Sequence, residues 1–333
     1  MRVDEFDFPL DESSIAREPL PDRAASRMLV VDRKAGRWHD RSFRDFPSSL
    51  HPGDCLVLNN SKVFPARLRG TREGAPGEVE ALLLRPESED DSLWLALVKP
   101  GKKLKRGTRL RFGPLEAEIE GRTESGERLI RFADDGHVRE TIERIGHVPL
   151  PPYLKRADTP ADRERYQTVF ARYSGSAAAP TAGLHFTSEI LAQCREAGAS
   201  IAYVTLHVGL GTFQPIRAER VEDVHLHSER FSIGGSDLAD MRGAERRVCV
   251  GTTSVRAVES AWLGREHETD LFISPGFRFQ ATGALLTNFH LPKSSLLMLV
   301  CAFGGTELIL AAYRHAAASG YRFFSYGDCM LVI

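Results

Sequence analysis

The chain has 333 residues, 42% of them hydrophobic and 27% charged, a globular profile long enough for two domains or for one domain with an insertion. Lys and Arg number 44 against 45 Asp and Glu, a net charge of -1, so no global field draws the protein to nucleic acid or anionic lipid and such binding has to come from a local patch. The longest wholly apolar run, Leu296–Phe303, falls well short of the ~18 residues a transmembrane helix needs.

The opening stretch Met1–Asp7 is acidic and lacks the apolar core of a secretory signal. The five cysteines (Cys55, Cys194, Cys249, Cys301 and Cys329) come no closer than 28 positions, which fits neither a disulfide framework nor a zinc ribbon. Together these features predict a reduced, cytoplasmic protein with buried thiols and no membrane partner.

Along the chain, Asp54–Asn60 reads as a buried strand running into a polar loop. Residues 63–150 read as all-β, with short strands at Val79–Leu84, Leu93–Val98, Arg109–Phe112, Leu115–Glu120 and Arg128–Phe132, separated by turn residues and without a convincing helix. Leu115–Glu120 alternates cleanly between apolar and acidic positions. Such a region suggests a small barrel or sandwich. From 151 onward helix and strand alternate. Thr187 can cap a helix that Gly198 ends, and Ile201–Val208 is a strand. Arg247–Val250 is a strand leading into a helix with Val255, Val258 and Trp262. Leu271–Ser274 and Ala284–His290 read as further strands, and Lys293–Phe303 as a core helix. The alternation predicts an α/β class with a mixed, partly parallel sheet layered with helices, formed by residues 1–62 and 151–333 around an inserted β domain at 63–150.

Polar and glycine-rich clusters fall directly after three of these strands: His207–Phe213, Gly251–Arg256 and Thr287–Pro292. A fourth, Pro180–Thr187, opens a helix. Open α/β sheets bind ligands beyond the carboxyl ends of their strands, so four such clusters can line one pocket if the strands are parallel neighbours. Gly209-x-Gly211 lacks the third glycine of a dinucleotide fingerprint, and a tight turn explains it. Residues 251–256 present hydroxyls and backbone donors at a helix start, either as plain capping or as a carboxylate or phosphate site. His185, His207 and His290 each sit in a cluster, placed for proton exchange or simply satisfied in the core. His225-x-His227 followed by Glu229 has metal-ligand spacing on a strand, but no third and fourth ligand is evident, so no metal is expected. Lys99 to Arg111 holds seven basic residues and no acidic one, among them Lys102, Lys103, Lys105 and Arg106. This stripe is either a phosphate-contacting surface or a solvated hairpin face.

The strings Ala179–Thr187, Val204–Phe213, His227–Glu229, Gly251–Arg256, Thr287–Ser294 and Phe324–Asp328 resemble the S-adenosylmethionine:tRNA ribosyltransferase-isomerase family of queuosine biosynthesis, and the resemblance spans nearly the whole chain. Asn60 stands where the family pattern expects aspartate, Arg17 where it expects glutamine, and the His225-x-His227 spacing is shorter than usual. The resemblance implies an α/β domain with an inserted β-barrel and transfer with isomerisation of the ribosyl part of S-adenosylmethionine onto 7-aminomethyl-7-deazaguanine at the tRNA wobble position. It implies epoxyqueuosine-tRNA as product, with adenine and methionine leaving, no metal, and no cofactor other than S-adenosylmethionine consumed as substrate; a monomer is expected. His185 and His290, with His207 third, are the expected proton-transfer residues. Thr181, Gly183, Gly209, Gly211, Thr212 and Asn288 would contact S-adenosylmethionine, with Thr252, Thr253 and Arg256 on its carboxylate. Lys102, Lys103, Lys105 and Arg106 would touch tRNA. Two other readings compete: a metal-dependent hydrolase built on His225 and His227, and a non-catalytic RNA-binding module.

Overall fold

A computed structural model describes every residue except 134–135, 210–215 and 217. The chain forms two compact units. One comprises Met1–Lys62, Pro152–Lys155 and Arg165–Ile333; the other comprises Val63–Pro151 and Arg156–Glu164.

In chain order the strands are β1 (Arg27–Asp32), β2 (Arg37–Ser42), β3 (Asp54–Asn59), β4 (Ser61–Val63), β5 (Arg67–Arg72), β6 (Ala75–Pro86), β7 (Leu93–Lys99), β8 (Arg109–Phe112), β9 (Leu115–Arg122) and β10 (Arg128–Phe132). They continue with β11 (Tyr173–Ser176), β12 (Ser200–Leu206), β13 (Glu229–Ile233), β14 (Arg246–Val250), β15 (Glu268–Thr269), β16 (Thr282–Asn288) and β17 (Cys329–Val332). The α-helices are α1 (Val138–Ile145), α2 (Asp162–Arg165), α3 (Ser188–Glu196), α4 (Gly235–Gly243), α5 (Thr252–Trp262), α6 (Ser295–Gly304) and α7 (Thr306–Ala318).

The first unit is built on a nine-stranded sheet in the order β15-β13-β12-β3-β14-β16-β17-β1-β2. Its centre, β12-β3-β14-β16, is parallel, while β17 returns antiparallel to β16 and lies parallel to β1. β3 is buried along its whole length, as a central parallel strand covered on both faces must be. Cys55, Val57, Val204 and Leu285 face a layer that includes Val255, Val258, Met298 and Tyr313. The alternate positions Leu56, Leu58, Val250 and Leu286 face Phe43, Phe46, Phe186 and Ile190. Within α5 the buried Glu259 accepts from the backbone of Gln280, Ala281 and Thr282 (2.7, 3.1 and 2.8 Å) and from the Thr282 hydroxyl (2.7 Å), which fixes the entry into β16. Leu271–Ser274 joins no sheet among the described residues, contrary to its strand-like pattern. Leu271 and Ile273 are buried, but Arg256 Nε donates to the Leu271 carbonyl (3.0 Å) and the Leu271 amide donates to Thr269 Oγ1 (3.1 Å), so side chains take over the role of a ladder.

The second unit holds a closed antiparallel barrel in the order β10-β7-β6-β5-β8-β9. In β9, Leu115, Ala117 and Ile119 point inward while Glu116 and Glu118 face solvent. Gly70 lies where β5 meets β8: a Cβ there would fall 2.1 Å from the Arg111 carbonyl oxygen. Helix α1 departs from the all-β expectation for this region. Half of its eight residues are charged, but Val138 and Ile142, one turn apart, complete the barrel core. Among the described residues no single helix is long and apolar enough to cross a membrane.

Candidate active site

β12, β3, β14 and β16 end side by side, at Leu206, Asn59, Val250 and Asn288. Their registers align, with Val204 opposite Asn59, Val57 opposite Cys249 and Val250 opposite Leu286. From β3 the chain next joins the sheet at β12 on one side and later at β14 on the other, so the strand order reverses at β3, where an α/β sheet opens a crevice.

Asn59 sits, buried, at that point of reversal. Its Oδ1 accepts the amides of Ser61 and Leu206, both at 3.1 Å, while Nδ2 donates to the Leu206 carbonyl (3.0 Å) and to Thr253 Oγ1 (3.4 Å). One amide thus ties the tip of β12 to the first turn of α5. Asn59 is not among the site residues expected from sequence; its signal there is a pair of amide residues directly after an apolar strand. Asn60 Oδ1 accepts from the Thr205 hydroxyl (2.7 Å), so the amide found where the family pattern expects aspartate works there as an acceptor.

Gly251, at φ 87°, makes the turn from β14 into α5 in a conformation that side chains rarely adopt. Thr252 and Thr253 follow, both buried, in the first helical turn, whose amides have no intrahelical acceptor and therefore suit an oxyanion or a ribose hydroxyl. Over this edge lies the 3-10 turn Thr181–His185, with Ala182 packed close to Gly251 and Thr181 half-buried. Gly183 is explained by packing, since a Cβ would approach Thr168 and Phe170 at 2.8 Å.

His185 is buried, its Nδ1 2.9 Å from Ser26 Oγ and its ring 5.3 Å from that of Phe43. Burial, reinforced by the charges of Arg23 and Arg322 and opposed by Asn288, lowers its pKa to about 4, so it is a neutral imidazole at pH 7. Asn288 lies close enough to act on the ring, although no well-formed hydrogen bond joins them; its Nδ2 donates to the Phe324 carbonyl (2.9 Å). His290 is also buried, with Nε2 2.8 Å from Thr287 Oγ1 and its amide donating to the Tyr313 hydroxyl (3.2 Å); burial lowers its pKa to about 3. Thr287 and Asn288 project to opposite faces of β16, so His185 and His290 are held on opposite sides of that strand. His207, half-buried, lies against Gly175 at the tip of β12. Gly211 and Thr212 lie outside the described residues.

Arg256 corrects the sequence-based expectation. Its guanidinium is buried, paired with Glu229 and donating to the carbonyls of Leu271 (3.0 Å) and Thr269 (3.4 Å), so its fork is already committed to the protein rather than to a ligand carboxylate. Glu229 Oε1 in turn accepts the Gly209 amide (2.7 Å), which makes the pair a brace for the loop after β12. Glu229→Gln keeps an acceptor for Gly209 but leaves the guanidinium buried without its counter-charge. It is expected to cost about 3–5 kcal/mol in urea unfolding, and an unchanged midpoint would contradict the brace. His225 and His227 are exposed in coil ahead of β13 rather than on a strand, and Glu229 faces Arg256 instead of them. Among the described residues no group of three His, Cys, Asp or Glu side chains can hold a metal ion.

In the barrel unit, Lys102, Lys103, Lys105 and Arg106 are exposed around the 3-10 turn Gly101–Lys103 and make no ion pair among the described residues. Arg109 and Arg111 of the same stripe face Glu73 and Glu116. Arg128, buried beneath, holds the basic loop through the carbonyls of Leu104 (2.9 Å), Gly126 (2.5 Å) and Gly101 (2.6 Å).

The sequence model of a family described as "Queuosine biosynthesis protein" matches residues 3–332. The S-adenosylmethionine:tRNA ribosyltransferase-isomerase of Solibacter usitatus is 56% identical over 352 residues, covering 100% of both chains. The protein of that name from Moorella thermoacetica is 47% identical over 346 residues, again with 100% of both covered. A crystal structure of S-adenosylmethionine tRNA ribosyltransferase from Thermotoga maritima, 37% identical, superposes with a TM-score of 0.56 over 99% of this chain and 100% of its own. With that breadth of match, the chain belongs to the queuosine biosynthesis protein family.

Proposed function

We propose that this chain is an S-adenosylmethionine:tRNA ribosyltransferase-isomerase whose acceptor is the aminomethyl group of 7-aminomethyl-7-deazaguanine in tRNA and whose product is epoxyqueuosine-tRNA, with adenine and methionine released. The observation that supports it most is the meeting of Asn59, Gly251–Thr253 and Asn288 on adjacent parallel strand tips, beneath the turn that bears His185.

The sulfonium of S-adenosylmethionine acidifies the neighbouring ribose C5′–H. A neutral imidazole takes that proton, and His185, held neutral by burial, is the group we assign to it. The electron pair left on C5′ drives ring opening as adenine departs with a proton. The acceptor amine adds to C4′ of the vinyl sulfonium left by ring opening and loses a proton. The ylide this regenerates at C5′ bonds to the C1′ aldehyde carbon to close the carbocycle, and the alkoxide so formed displaces methionine from C5′ as the epoxide closes. Asn59 and the free amides of the first turn of α5, with Thr252 and Thr253, hold the nucleoside or the carboxylate in place of Arg256. His290 orients the tip of β16 through Thr287.

Incubation with S-adenosylmethionine and tRNA carrying the deazaguanine tests the reading: tRNA gains mass in step with free adenine. Unchanged tRNA and no adenine would refute it. A non-catalytic RNA-binding module would bind the tRNA but release no adenine. Neutralising Lys102, Lys103, Lys105 and Arg106 together is expected to weaken tRNA binding and to flatten the slope of log affinity against log salt by about 3–4, at roughly 0.9 for each phosphate no longer neutralised. A wild-type slope would return the stripe to an ordinary solvated face.

A further inference from the structure

Beside His185 the first unit opens a small, narrow cleft. Pro19, Leu20 and Leu184 form its apolar wall, and Arg23, Arg165 and the Ser325–Gly327 turn form the polar one. The guanidinium groups are anchored by backbone carbonyls. Arg23 donates to Gln167 (2.8 Å), and Arg165 donates to Pro21 (2.9 Å) and Leu20. Arg322, close enough to His185 to repel its proton, donates to Glu18. Carbonyls are neutral, so these bonds fix the fork of Arg165 without cancelling its charge, whereas the charge of Arg322, outside the cleft's lining, also acts on the buried Asp328. Arg165 Nε and Arg322 Nη1 remain buried without a hydrogen-bond acceptor. Among the described residues no acidic side chain lines the cleft. Asp328, nearby, is buried and accepts the amides of Arg27 and Arg322, both at 2.8 Å.

We propose that this cleft is a phosphate subsite that seats one backbone phosphodiester of the tRNA next to the reacting nucleotide. The inference rests on the tRNA reading above. A phosphodiester is a pure anion and matches guanidinium forks already oriented by backbone carbonyls. The amino-acid end of S-adenosylmethionine is a poorer match, because its ammonium group would enter a cleft that already carries positive charge and no acidic partner. The subsite also explains why the N-terminal segment around Leu20 is stapled by arginines rather than by neutral donors.

The test is binding of an RNA stem–loop to Arg23→Gln and Arg165→Gln across a salt series, with calorimetric S-adenosylmethionine affinity as a check on folding. Each variant is expected to weaken RNA binding about tenfold and to lower the salt slope by about 1, while S-adenosylmethionine affinity stays within about twofold. Weaker S-adenosylmethionine binding with unchanged RNA binding would overturn the proposal in favour of a carboxylate site, and an unchanged salt slope would overturn it outright. A variant that fails to fold is bypassed by wild-type protein and stem–loops carrying single neutral methylphosphonates. One position flanking the reacting nucleotide should lose affinity, and equal binding at every position would sink the subsite. Wild-type protein that binds RNA but releases no adenine from acceptor tRNA would count against the function and leave the cleft to be judged by these binding data.

Discussion

Replacing His185 with alanine is expected to lower adenine release by about 10²- to 10⁴-fold, the range over which a positioned proton-transfer group contributes. The geometry makes the residue specific. Nδ1 is engaged by Ser26, which leaves Nε2, buried without a hydrogen-bond partner, as the nitrogen able to accept a proton. With its pKa lowered to about 4, the ring is a neutral acceptor throughout the physiological range. His185→Asn, which keeps a polar group toward Ser26, separates loss of the imidazole from loss of packing against Phe43. Single-turnover adenine release and thermal unfolding, read together, decide the matter. Folded His185→Ala protein that releases adenine at the wild-type rate would remove this residue from the chemistry.

Acidification is expected to destabilise the α/β unit from about pH 6.5 downward, before most carboxylates titrate. His185 and His290 are both lowered by burial, to about 4 and about 3, from ordinary values near 6.5. Above pH 6.5 both are neutral whether the chain is folded or unfolded, and the stability they confer is complete. Below it the unfolded chain binds protons that the folded chain refuses, so stability falls with pH until each folded value is passed. At about 1.4 kcal/mol per pKa unit, the two residues together cost several kcal/mol by pH 4, a large share of a stability of roughly 5–15 kcal/mol. Urea midpoints between pH 7.5 and 4.5 measure this. The decline should be shallower in His290→Gln, and equal slopes in variant and wild type would show that His290 does not titrate in this way.

Much of the architecture is legible in the chain because burial imposes periods that survive in one dimension. Leu115–Glu120 alternates since one face of β9 fills the barrel and the other meets water. Asp54–Asn59 is largely apolar since β3 is covered on both faces, and Ser295–Gly304 is apolar almost all round since α6 lies inside the core. The glycine and threonine clusters are legible for a related reason, as polar residues directly after an apolar strand mark its carboxyl end. Other features are hidden. Helix α1 is short and half charged, so two buried apolar residues one turn apart leave too weak a period. Leu271–Ser274 has the alternation of a strand, but hydrogen bonds from Arg256 and to Thr269 replace the ladder.

Residue order alone suffices for the class of the fold, for the edge of the sheet where chemistry-bearing residues gather, and for the family. Each of these follows from local patterns of burial and from strings of neighbouring residues. What each side chain faces emerges only once the chain is folded. Arg256 reads as an anion holder until the buried Glu229, 27 positions away, is found to occupy it. Asn59 reads as a loop residue until it is seen to bind β12 and α5 at once. His185 and His290 read as a pair until the pleat of β16 sets them on opposite sides. A charge or an amide takes its role from partners that the chain brings together from far apart, and such partners leave no periodic trace.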